Sequence, residues 1–187
     1  MVDQDRFLAR FKQRLQDEFI SIERNQSYSE EEKIDRLIFT TSALCAGIAV
    51  QPVPFADMPI LTTIQGLMGY KIAQVRGINL SQESAREVLK YLGGVLGAGL
   101  AAQHFVLALW KIGIPGAGGF MTIPVVFGVT YGIGRAMDLY FRMKKIGRIP
   151  SRPEILEAFK MGKREGKQDA KHRTTGDPTH AVGIESQ

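Results

Sequence analysis

Leu92–Trp110 reads LGGVLGAGLAAQHFVLALW and Ile112–Gly134 reads IGIPGAGGFMTIPVVFGVTYGIG, with Lys111 the only residue between them. The second run contains no charged residue. A hydrocarbon core is crossed by roughly 20 apolar residues in a helix, so each run is long enough to span a bilayer. The expectation is an all-α, membrane-associated fold organised around a glycine-rich spanning hairpin. Gly93 and Gly97 stand four residues apart in the first arm, and Gly128 and Gly132 repeat the spacing in the second. Glycine is unfavourable in a helix by about 1 kcal/mol relative to alanine. Its recurrence at this spacing implies close backbone approach, which replaces the hydrophobic drive that lipid does not supply. These four glycines are therefore the expected helix-packing positions, inside the hairpin or between copies in a homo-oligomer.

Gln103 and His104 interrupt the first arm near its middle. A polar contact inside the membrane, hydrogen-bonded across the hairpin or to a neighbouring subunit, is the preferred reading over an ion site, because neither arm holds an acid. The glycines around Pro115 supply the reversal, and Pro124 predicts a kink in the second arm.

Working toward the amino terminus, Ser81 opens the helix that leads into the first arm, and Glu83 and Glu87 suit the positive end of its dipole. Before it lies a shorter hairpin. Its first helix starts at a capping box, Ser29 with Glu32, and turns apolar from Leu37 to Val50; its second runs from Ile60 to about Arg76. Between them QPVPFADMP carries three prolines, which cannot sit in a helix interior without losing hydrogen bonds, so this is a corner. Neither apolar helix reaches spanning length, and the pair is expected against the long hairpin or dipping into lipid. Asp57, the only charge between Leu37 and Tyr70, is assigned as a helix cap ahead of Pro59 in preference to a buried proton-coupling carboxylate. Residues 1–28 form a separate amphipathic helix, with Phe7, Phe11, Leu15, Phe19 and Ile22 on one face. Residues 29–147 make up the membrane-associated domain.

The remainder, 148–187, is read as a basic helix opened by a second capping box, Ser151 with Glu154, and a polar disordered tail from about Gly166. From Arg135 onward there are twelve Lys or Arg against seven Asp or Glu, an excess equal to the net charge of the whole chain, +5. Such a patch suits nucleic acid or anionic lipid. Its position, about two turns past an apolar run, favours lipid, with Arg142, Lys144, Lys145 and Arg148 as headgroup contacts and both termini cytoplasmic. The single cysteine, Cys45, excludes an internal disulfide and fits a small core residue.

No catalytic, cofactor or metal motif emerges. GIPGAGGF lacks the Gly-Lys-Ser/Thr ending and the preceding strand of a phosphate loop, and His104, His172 and His180 are too scattered for zinc. No serine has the surroundings of a nucleophile elbow.

The segment QPVPFADMPILTTIQGLMGYKIAQVRG, the glycine-rich arm after it and the KIGIPGAGGF turn resemble the YcjF-like family, also called domain of unknown function six-nine-seven. The resemblance covers roughly Lys33 to Gly147, and its most specific piece is Pro52–Gln65. It implies a helical, membrane-associated protein of the bacterial inner membrane, a stand-alone form without a GTPase domain, with a P-loop GTPase as partner in trans. It carries no catalytic residues. The expected function is thus a non-enzymatic membrane scaffold that self-associates and presents cytoplasmic helices. Two alternatives stand beside it: an oligomeric pore lined by Gln103, His104, Thr122 and Thr130, and a soluble helical bundle that inserts conditionally.

Overall fold

Three helix starts in this chain are set by a serine and its side-chain or backbone hydrogen bonds at the first turn. Ser29 accepts from the Glu32 amide at 3.2 Å while Glu32 accepts from the Ser29 amide at 2.8 Å, completing the capping box. Ser81 accepts from the Ser84 amide at 3.1 Å, and Glu154 accepts from both the amide and the hydroxyl of Ser151. In the computed structural model, residues 13, 15–49, 58–97 and 118–175 are described. They form α1 (15–24), α2 (Glu30–Ala49), α3 (Met58–Val75), α4 (Gln82–Leu96), α5 (Gly118–Lys145) and α6 (Arg152–Thr175), with no strand among the described residues. The fold is all-α, as expected. Phe7, Phe11, Asp57, Gln103, His104, the proline corner up to residue 57, the first arm beyond Gly97, the reversal around Pro115 and the tail beyond Thr175 fall outside the described residues.

α5 is the spine. Nine consecutive residues, Val126 to Gly134, are buried, because different chain segments cover its different sides. On one side α2 runs antiparallel to it: Asp35 pairs with Arg135, Ile38 lies against Gly134, and Phe39 meets Phe127 edge-on at 5.4 Å between centroids. On another, α6 runs antiparallel, with Phe159 against Gly132 and Gly166 against Tyr131. α3 runs parallel to α5, placing Gln65 beside Thr130, Gly69 beside Met137 and Arg76 beside Asp138. α4 lies on α3 and brings Tyr91 to Tyr140.

Two apolar clusters result. The larger joins Ile34, Ile38, Met68, Ile72, Leu92, Met137, Phe141 and Ile155. The smaller seats α1 through Leu15, Phe19 and Ile22 against Leu37, Cys45, Ile48, Leu61 and Ile64. α2 contributes to both, which explains why its apolar stretch is wider than a single amphipathic stripe.

Two sequence expectations are revised, and a third gains no support among the described residues. The helix expected to continue from Leu92 to Trp110 stops at Leu96, where Gly97 adopts φ 55° and ψ −143° and its amide bonds the Gly93 carbonyl at 2.9 Å. Side chains rarely tolerate that backbone region, so Gly97→Ala is expected to lower stability by about 1 to 3 kcal/mol, measured by urea unfolding. The segment from Gly166 to Thr175, expected to be disordered, continues α6. Finally, among the described residues no helix is long and apolar enough to cross a membrane. α5 has the length, but Arg135, Asp138, Arg142, Lys144 and Lys145 occupy its last three turns.

Candidate functional site

Two chemically distinct places lie at the end of the bundle where α2 begins and α3 and α5 finish. The first is an ion-paired cleft. Arg76 follows the last turn of α3 and is only 6 % exposed, and Asp138 on α5 is 5 % exposed. Arg76 Nε donates to Asp138 Oδ1 at 2.8 Å, while its Nη1 reaches Glu30 at 2.8 Å and Glu31 at 2.7 Å on α2. Arg142 holds the other Asp138 oxygen at 3.4 Å. One turn back on α5, Arg135 joins Asp35 of α2 to Glu165 of α6. Its guanidinium also sits over the Tyr131 ring at 5.3 Å, and the Tyr131 hydroxyl donates to Glu165 at 3.2 Å. Between these groups lies a cleft of about 450 Å³ lined by Glu31, Asp35, Arg76, Arg135, Arg142 and Glu165 among others.

Every arginine lining the cleft holds a carboxylate, so the arrangement ties four helices together. Burial works against the Arg76 cation, but hydrogen bonds to Asp138, Glu31 and Glu30 outweigh it and hold the guanidinium above its ordinary value. Burial likewise opposes the charge of Arg135, and Glu165, Tyr131 and Asp35 reverse the balance. The Arg76 hydrogen bond is the main cause that holds Glu31 below its usual 4.5. The capping bonds from Ser29 and Ser151 lower Glu32 and Glu154 in the same direction. A depressed carboxyl stabilises the folded state above its unfolded pKa, and that contribution is lost as pH falls through the folded value. Urea midpoints are therefore expected to stay level from pH 7 to about 5 and decline below about 4.5, with Glu31→Gln and Ser151→Ala each flattening the decline.

The second place is the turn between α5 and α6. Of the four expected headgroup contacts, Arg142 leans inward to Asp138 and Arg148 pairs with Glu154 at 2.7 Å. Lys144 lies 6.0 Å from the Tyr140 ring centre, and Lys145 is exposed.

The expected packing glycines divide. Gly128 and Gly132 do mediate close approach, but to α6 of the same chain: a Cβ on Gly132 would lie 2.7 Å from the Phe159 carbonyl oxygen, and one on Gly128 would lie 3.1 Å from that of Lys163. Gly93 has nothing within 4 Å of its Cβ position, and Gly97 serves as the helix stop. Thr130, proposed for a pore lining, is fully buried and accepts from Gln65 at 3.2 Å. Cys45 is buried and its thiol is pushed up to about 12 by that burial, which fits a core residue. Among the described residues no group of three or more His, Cys, Asp or Glu could hold a metal ion.

No family model, curated protein or solved structure matches the chain. The likeness to the YcjF-like family accordingly rests on the residues quoted for it, of which Met58–Gln65 open α3.

Sequence reasoning missed the Arg76–Asp138 pair. A signal was present. Asp138 falls four residues after Gly134 and seven after Tyr131, on the stripe of α5 that is otherwise buried.

Proposed function

We propose that the protein is a non-enzymatic helical scaffold that associates with a membrane and displays α1, α2 and α6 to a protein partner. The observation that carries this reading is the buried run from Val126 to Gly134: covered by helices of its own chain, the glycine-rich segment serves as the spine of a preformed bundle. Attachment at the bilayer surface is supported by the cation-rich end of α5, whose last turn holds Arg142, Lys144 and Lys145. The covered segment supports a helical bundle with conditional membrane contact over a permanently spanning hairpin. It is preferred to a pore, because Thr130 is engaged with Gln65 in the core. A P-loop GTPase as partner, and the cytoplasmic face of a bacterial inner membrane as location, follow from the YcjF-like resemblance alone.

Fractionation tests the reading. At low salt the protein is expected in the membrane pellet, and alkaline carbonate is expected to release it as a folded species that needs no detergent. Retention through carbonate would return the spanning hairpin, and a wholly soluble protein at low salt would remove the membrane from the account.

A further inference from the structure

Two helices of this chain end in the same motif and treat the isoleucines beside it in opposite ways. At the end of α3, Gly77 takes φ 74°; its amide bonds the Gln74 carbonyl at 2.9 Å, and the Ile78 amide bonds that of Ala73 at 2.8 Å. Ile78 then packs onto the core, the apolar contact that normally accompanies this ending. At the end of α5, Gly147 takes φ 75°, with Gly147 bonded to Lys144 at 3.0 Å and Arg148 to Met143 at 2.9 Å. Here the residue that would fold inward is Arg148, which reaches Met143 Sδ at 3.8 Å and Glu154 at 2.7 Å. Its neighbours Ile146 and Ile149 are 72 % and 68 % exposed.

Single exposed apolar residues need no explanation. This pair differs because it is held out by a rigid reversal. The α5 ending fixes one side, the Ser151–Glu154 cap fixes the other, and Pro150 and Ile155 are buried beneath. The charge around it is also one-sided: between Asp138 and Glu154 the sequence has Arg142, Lys144, Lys145, Arg148 and Arg152 and no acid. Asp138 and Glu154 are taken by Arg142 and Arg148. Lys144, Lys145 and Arg152 make no ion pair among the described residues. Arg152 extends toward the Gly97 turn, 3.9 Å from that residue's Cβ position, so α4 ends beside the same corner.

We propose that the α5–α6 turn is an insertion point for an anionic phospholipid surface, with Ile146 and Ile149 entering the boundary between headgroups and acyl chains and Lys144, Lys145 and Arg152 meeting lipid phosphates. The proposal rests on the membrane-associated reading above and names its attachment site and lipid class. Charge chooses the occupant. A second copy docked through this turn would set like cations against one another, whereas an anionic bilayer supplies both the opposite charge and an apolar layer of the right depth. Long cationic side chains suit this geometry, since their stems remain near the apolar boundary while their heads stay in water.

The test is sedimentation of the full chain with vesicles of phosphatidylglycerol and phosphatidylcholine, or of phosphatidylcholine alone. Wild type is expected to bind the mixed vesicles at least about tenfold more tightly, with the difference shrinking in high salt. Ile146→Ser with Ile149→Ser is expected to lower binding about tenfold or more, and Lys144→Glu with Lys145→Glu to abolish the preference. All should keep the wild-type thermal midpoint, since these side chains are exposed. An environment-sensitive dye on Ile149→Cys should shift to the blue with mixed vesicles only; the native Cys45 is buried and stays unlabelled. If wild type binds neither vesicle, the membrane reading and this proposal both fail. If wild type binds but the isoleucine variant binds equally, or the variant changes only the oligomeric state, the turn is not the insertion point while membrane association stands.

Discussion

Replacing Arg76 with methionine is expected to destabilise the protein by about 3 to 5 kcal/mol, the usual consequence of breaking a buried ion pair from one side. The expected loss is large because of what remains. Asp138 stays 5 % exposed on the spine helix, with only Arg142 at 3.4 Å to balance it, and Glu30 and Glu31 lose the cation that anchors α2 to the end of α3. At a urea slope of about 2 kcal/mol per molar, the midpoint should fall by roughly 2 M. Much of that loss is the desolvation of an unpartnered carboxylate and not the strength of the bond. Removing both charges should therefore recover most of it: Arg76→Met with Asp138→Leu is expected within about 1 to 2 kcal/mol of wild type, a coupling energy that a double-mutant cycle reads directly. A single variant within about 1 kcal/mol of wild type would show that water reaches this pair and that the cleft does not hold the bundle's end together.

The parts of this fold that were legible in the sequence are those decided within a few residues. Ser29 with Glu32 and Ser151 with Glu154 announce helix starts because side chain and amide are close in the chain as well as in space. What could not be seen is which surface covers the apolar helices. α6 reads as a polar helix, MGKREGK at its centre, and nothing in its hydropathy marks it as the cover of a glycine-rich segment. It covers α5 with groups that a hydropathy scale discounts: the Phe159 carbonyl, the alkyl stems of Lys163 and Lys167, and the bare backbone of Gly162 and Gly166. Burial accordingly pulls the Lys163 ammonium below its ordinary value. Gly162 and Gly166 have the same spacing of four as Gly128 and Gly132, yet in a charged context that spacing suggests no packing face. The Arg76–Asp138 pair was hidden for the complementary reason, since 62 residues separate its partners. Gly97 shows a third limit: from sequence it is one more member of a small-residue series, and only its positive φ distinguishes a helix stop from a helix contact.

Gly132→Leu is expected to disrupt the α5–α6 pair outright, and Gly132→Ala to separate the intrachain from the interchain account of these glycines. A methyl at Gly132 would stand 2.7 Å from the Phe159 carbonyl oxygen and 2.8 Å from its ring. The ring can rotate, but the carbonyl belongs to the helix, so α6 must move bodily. It has little room, because a Cβ on Gly162 would already lie 3.1 Å from the Gly132 Cα. Overpacking of this kind costs about 1 to 3 kcal/mol for one methyl, against a gain of about 1 kcal/mol in helix propensity. The net for Gly132→Ala is a loss of up to about 2 kcal/mol, and for leucine more than about 3 kcal/mol. Gly93→Ala is the internal control: with nothing within 4 Å of its Cβ position it should gain up to about 1 kcal/mol. Gly128→Ala should fall between them, since its nearest obstacle is at 3.1 Å. All four are measured by urea unfolding of the detergent-free protein alongside its sedimentation behaviour. The order Gly93→Ala, wild type, Gly128→Ala, Gly132→Ala from most to least stable, with an unchanged oligomeric state, places the close approach inside one chain. Unaltered stability at Gly132 with loss of an oligomer would instead place it between chains, and α5 would have to shed α6 to make that contact.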